Sequence, residues 1–139
     1  MEDTRAFEQA VQDHLSRLCL EFGFRSETEH IGAVTKIVFR TDKVTLKLIH
    51  VPHYSDIEVC LTDNTSKKEY GIEVIMGRDP LSFKAWRTRL AETPVEVERF
   101  VKDLAEEIFK NEQMLLRGES AAFRTLAQRH EALLRQYGM

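Results

Sequence analysis

Apolar positions along this chain repeat first every three or four residues, then every two, then every three or four again. From Thr4 to Phe22, the residues Phe7, Val11, Leu15, Leu18 and Phe22 share one side of an amphipathic helix. Gly23 is placed to end it in the left-handed conformation that helices commonly use to stop. After a polar connection the period becomes two, the signature of strands buried on one face. Val44, Leu46 and Leu48 alternate with Thr45 and Lys47, and Ile57, Val59 and Leu61 alternate with Glu58, Cys60 and Thr62. A fourth run sets Tyr70, Ile72, Val74 and Met76 against Gly71 and Glu73. The first strand, over Val34 to Arg40, holds Ile37, Val38 and Phe39 in succession, so its register stays open.

Turns are expected at Thr41-Asp42, around Pro52 and at Asp63-Asn64. Connections this short exclude parallel neighbours, which need a crossover of a dozen or more residues, so the sheet is an antiparallel meander. The helical period then returns. Asp79-Pro80 reads as a cap with proline at the first helical position, opening a short helix with Phe83, Trp86 and Leu90 on one side. Thr93-Pro94-Val95-Glu96 has the form of a capping box. The helix it opens carries Val97, Val101, Leu104, Ile108 and Leu115 and stops at Gly118. A last helix starts near Glu119 or Ser120, with Phe123, Leu126, Leu133 or Leu134, and Tyr137 on its apolar side.

The expected fold is therefore α+β. An N-terminal helix, a four-stranded antiparallel meander and three C-terminal helices form a two-layer sandwich, with helices mainly on one sheet face. The other face, with Lys47, Ile49, Glu58, Cys60, Glu73 and Ile75, is left to solvent or a partner. At 139 residues, 42% of them apolar, the chain supports one domain, 1–139, with its own core.

Composition narrows the function classes. A net charge of −3 provides no broad positive field for nucleic acid or anionic lipid. No run reaches the roughly 20 apolar residues that cross a bilayer. The start MEDTRAFEQAVQDHL lacks the basic then apolar pattern of a secretion signal, so the expected compartment is the reducing cytoplasm, with Cys19 and Cys60 as buried or half-buried thiols.

Candidate chemistry is sparse. His50-Val51-Pro52-His53 offers two imidazoles near a strand end, but a closed zinc site needs two further ligands, and no metal or cofactor is expected. His130 reads as a core-edge histidine with one hydrogen-bonded nitrogen, while His14 and His30 have no companions at useful spacing. No serine or cysteine sits in a nucleophile motif, and the six glycines form no phosphate loop. The cations Arg78, Lys84, Arg87 and Arg89 surround Trp86, whose helical spacing with Phe83 and Leu90 makes it a core anchor before a base-stacking platform. Acidic residues dominate from Glu92 to Glu107 and basic ones from Lys110 to Arg135, which suits a charge-complementary protein partner or mutual neutralisation of two helices.

The string Leu20-Glu21-Phe22-Gly23-Phe24, followed by a strand pair with the V-x-L-x-L run at Val44, Leu46 and Leu48, resembles small bacterial α+β domains that include immunity proteins beside toxins. The stretch Leu115 to Phe123 is similar to their junction between two closing helices. Small acidic secretion chaperones are a second resemblance, although these place a helix between strands. Both resemblances imply a non-enzymatic protein that binds another protein; a homo-oligomer is expected if the open sheet face is used by a second copy. The alternative is a small-molecule binder or enzyme with a site between sheet and helices, and with His50, His53 and Tyr54 at its rim.

Overall fold

The computed structural model describes residues 2–51, 56–71, 74, 93–111 and 113–137. It is an α+β domain built on a five-stranded antiparallel sheet. Two helical pieces, α1 (Glu2–Leu15) and α2 (Arg17–Phe22), make up the N-terminal helix. They meet at Ser16, whose carbonyl accepts from both Cys19 N–H at 3.0 Å and Leu20 N–H at 3.2 Å, a tightened turn within one helical run. The α2 end closes as expected at Gly23, and the Phe24 N–H reaches back to the Leu18 carbonyl at 3.1 Å.

The sheet runs β1 (Arg25–Ile31), β2 (Val34–Arg40), β3 (Val44–Val51), β4 (Asp56–Asp63) and β5 (Lys68–Gly71), each paired to the next. Five strands replace the four expected. The additional one, β1, occupies the stretch that reads as a polar connection, because all seven of its residues are exposed. An edge strand solvated on both faces has no apolar alternation to display. Its hairpin to β2 turns on Gly32 and Ala33, with Gly32 at φ +61°, as a type II′ turn requires at its first central position. At the other edge, β5 begins at Lys68, earlier than the apolar pattern suggests, and ends at Gly71. Val74, expected in this strand, is buried and helical, which corrects the expectation at that position, while Ile72 and Met76 lie outside the described residues.

Three apolar positions in succession left β2 ambiguous, and the register resolves it. Ile37 and Phe39 join the main core with Val44, Leu46 and Leu48 of β3 and Ile57, Val59 and Leu61 of β4. Val38 points to the opposite face, yet is also buried. On that face Lys47, Ile49 and Cys60 are half-buried and Glu58 is exposed. Glu73 and Ile75 lie outside the described residues. So do the turn at Pro52, the helix expected after Pro80 and the basic segment around Trp86.

The C-terminal half supplies α3 (Pro94–Asn111), α4 (Gln113–Leu116) and α5 (Ser120–Tyr137). Thr93 caps α3: its Oγ1 accepts the Glu96 N–H at 3.2 Å, and its hydroxyl donates to the Glu96 carboxylate at 3.2 Å. The box thus closes side chain to side chain. Phe100, Val101, Leu104 and Ile108 from α3, Leu115 and Leu116 from α4, and Phe123 and Leu126 from α5 enter the same cluster as the sheet residues and Phe7, Val11, Leu15 and Leu18. No helix among the described residues is long and apolar enough to cross a membrane.

Gly118 ends α4 in the left-handed region at φ +72°, where an added Cβ would lie 2.6 Å from the Lys43 Cβ. Gly23 is left-handed too, but an added Cβ there meets nothing within 4 Å. Gly23→Ala should therefore incur only the backbone cost, about 1–2 kcal/mol, whereas Gly118→Ala adds a steric clash with the β2–β3 turn. Thermal melts of the two variants should show a clearly larger drop for Gly118→Ala, and equal drops would mean that the Lys43 contact is unimportant.

Candidate functional site

Chemistry gathers at both ends of the central strands. Toward the β1–β2 turn, His30, Thr35 and His50 stand in a row on the core face, because the registers oppose His30 to Thr35 and Thr35 to His50. From α1, Glu8 places Oε1 2.9 Å from His30 Nε2, and Thr35 Oγ1 is 3.5 Å from His30 Nδ1. Carboxylate, imidazole and hydroxyl in that order are the parts that activate a nucleophile in acyl transfer. Here Thr35 is 0% exposed, so no substrate carbonyl can approach its hydroxyl. His50 is 1% exposed and packs with its ring centroid 4.8 Å from that of Phe7. It belongs to the core at the end of β3, not to a loop. His53 and Tyr54 lie outside the described residues. The Glu8–His30 contact joins α1 to β1, and the register carries the row on through Thr35 to His50.

The accessible site lies at the other end of β3, about 20 Å from His50 at the rise of an extended strand. A cleft of about 650 Å³ opens there between the end of α2, the outer-face residues of β1 and β2, the β2–β3 turn and the end of α4. Phe22, Val38 and Leu116 supply its hydrocarbon surface. Arg25, Arg40, Lys43 and Arg117 bring positive charge, and Glu21, Glu27 and Asp42 bring negative charge.

These charges are not equally available. Glu21 is already held by Arg17 through two hydrogen bonds, 3.1 Å from Nε and 2.8 Å from Nη2, and those bonds keep its carboxyl below the usual carboxylate range. Arg117 stacks over the Phe22 ring at 5.7 Å, Phe22 lies 6.0 Å from Phe109, and Arg17 covers Phe109 at 4.3 Å. This layered seam ties α2 to α3 and sets Arg117 on the cleft wall. Arg25 and Arg40 are directly opposed across the β1–β2 pair and both exposed. Among the described residues, neither has a carboxylate within ion-pair distance.

The lip of the cleft is held rigidly. Thr41 Oγ1 accepts the Val44 N–H at 3.0 Å, and the Thr41 N–H donates to the Val44 carbonyl at 2.8 Å. Asn64, from the β4–β5 turn, clamps that turn from outside. Its Nδ2 donates to the Thr41 carbonyl at 3.0 Å, its Oδ1 accepts the Thr45 hydroxyl at 2.9 Å, and its N–H donates to the Lys43 carbonyl at 2.9 Å.

Arg25, Arg40 and Lys43 carry no motif, and Arg117 reads in sequence only as one of several helix cations. The pairing of Arg25 with Arg40 depends on β1, so the hairpin signal at Gly32 was the one route to it. His130 sits at the core edge as expected, half-buried with its ring edge-on to Tyr70 at 5.9 Å, and its buried Nδ1 has no hydrogen-bond partner among the described residues. Cys19 and Cys60 are free and half-buried. No group of three His, Cys, Asp or Glu side chains among the described residues could hold a metal ion. Comparisons with models of protein families, with curated proteins and with solved structures give no match.

Two outcomes follow for the frame of the site. Asn64→Leu leaves the Thr45 hydroxyl and the Thr41 carbonyl without their partner, and should cost about 1–3 kcal/mol in urea unfolding. A loss near zero would show that the clamp adds nothing. Burial pushes the Tyr70 phenol up from its ordinary value, and the negative charge of Asp63 acts in the same direction. The folded chain then keeps this proton after the unfolded chain has released its own, near pH 10. Stability from Tyr70 should be intact below that pH and lost as pH rises through the folded value. Tyr70→Phe should flatten this alkaline decline in melts taken at successive pH values, and an unchanged decline would locate it elsewhere.

Proposed function

We propose that this chain is a non-enzymatic protein-binding module, immunity-like or chaperone-like, which meets its partner on the surface formed by β1 and the adjoining cleft. The reading rests on one continuous feature: a seven-residue edge strand, exposed at every position, leads past Arg25 into a charged recess of about 650 Å³. Mixed charge around a hydrocarbon surface is the composition expected where a polar rim surrounds an apolar contact. An exposed sheet edge offers backbone groups to an added strand. The same reading takes the domain as a two-layer sandwich with helices mainly on one sheet face, supported by the single cluster that sheet and helices share. Self-association is its homotypic form.

A small-ligand site is the second reading, favoured by the size of the cleft, which falls within the range of about 300–1,000 Å³ common to such sites. Site-directed photo-crosslinking separates the two. A benzoylphenylalanine at Asp42, the exposed tip of the cleft lip, should capture a discrete protein in the native lysate, while the same probe at Gln128, exposed on α5, should not. Equal yields from both positions, or no adduct from position 42, would overturn the protein-binding reading.

A further inference from the structure

We infer that the cleft is a subsite for carboxylate side chains on an extended segment of the partner protein, gripped by Arg25 and Arg40 with Lys43 and Arg117 beside them. The inference rests on the protein-binding reading and names the chemistry of the partner. The four cations form a connected set. Arg25 opposes Arg40 across the strands, Lys43 follows in the adjoining turn, and the Lys43 side chain packs at Gly118 next to Arg117.

Two like charges placed directly opposite on one sheet face repel each other. A carboxylate seated between them removes that repulsion and gains charge-assisted hydrogen bonds, for which the planar guanidinium fork is suited. Neither arginine has a competing carboxylate at ion-pair distance among the described residues, and Glu21 is spent on Arg17. The anion therefore displaces no existing bond.

The other lining residues select the kind of anion. Glu27 lies two residues from Arg25 on the same face, about 7 Å along the strand, and Asp42 sits beside Lys43. A nucleic acid backbone carries charge at every step and would bring phosphates against these two carboxylates. Its approach is also opposed by the net charge of −3. An extended peptide spaces its same-face side chains by about 7 Å. It can place an acidic side chain on the arginine pair, a neutral one beside Glu27 and an apolar one on Phe22, Val38 and Leu116.

The test is fluorescence anisotropy with a labelled peptide of alternating glutamate and leucine. Its lysine–leucine counterpart and a labelled single-stranded oligonucleotide serve as the other probes. The acidic peptide should bind saturably and weaken as salt rises, and each of Arg25→Gln and Arg40→Gln should cost about tenfold in affinity, as loss of one charge-assisted pair implies. Arg124→Gln, exposed on α5, should leave affinity unchanged. Both cleft variants should melt no lower than the parent, because each removes a like-charge contact, and this keeps a lost affinity distinct from a lost fold. Equal binding of both peptides, tighter binding of the oligonucleotide, or unchanged affinity in the two variants would overturn the inference. If crosslinking from position 42 still captures a protein in that event, the binding module stands and only the chemistry assigned to its partner falls.

Discussion

The burial alternation of β3 is the constraint on which the rest of the structure depends. Val44, Leu46, Leu48 and His50 are each no more than 1% exposed, while Thr45, Lys47 and Ile49 between them are half-buried on the other face. A slip of one residue would exchange the two sets and carry the Lys47 ammonium into the core, where an unpaired charge is very costly. Since β3 is paired on both sides, its register fixes β2 and β4, and through them β1 and β5. Arg25 faces Arg40 at one end, and His30, Thr35 and His50 line up at the other, as consequences of that one choice.

The energetic scales of the two ends differ. Burial of the apolar cluster, shared by sheet and helices, supplies the large favourable term of folding. Repulsion between exposed guanidinium groups is on the order of 1 kcal/mol at contact in water and is weakened further by salt. The fold therefore tolerates an unfavourable cation pair at its edge. The stretch RSETEHI can be strand without being apolar because β2 already supplies a hydrogen-bonding neighbour along all seven of its residues. Its exposed charges also discourage indiscriminate edge pairing.

Legibility from sequence followed burial. β3 and β4 were readable because one of their faces is buried and the other is not, which writes period two directly into the residues. β2 was half-readable: Ile37 and Phe39 belong to the core, but Val38 is buried on the opposite face, and an element covered on both sides loses its alternation. β1 was unreadable by the same rule taken to its other limit, with neither face covered. His50 extends the buried series of Val44, Leu46 and Leu48 by one more step, but as a polar residue two before Pro52 it read as a strand end near a turn. The cleft was least visible, because it joins Arg25, Arg40, Lys43 and Arg117, whose proximity is created by strand register and by the contact of Lys43 with Gly118.

The two ends of the central strands show why residue type alone is a poor guide to a site. Glu8, His30 and Thr35 present the familiar ingredients of nucleophilic catalysis at short range, but the hydroxyl is sealed within the sheet, and the arrangement fastens α1 to β1. Arg25, Arg40, Lys43 and Arg117 match no catalytic pattern, yet all four are exposed beside a hydrocarbon surface. What separates them is access to a second molecule. Access here is set by where the sheet stops: the open edge at β1 and the short β2–β3 turn leave a recess that the helices border at Phe22 and Leu116. The chemistry this chain can offer to another molecule is therefore decided at the boundary of its sheet, where side chains are held in register by the core but remain in water.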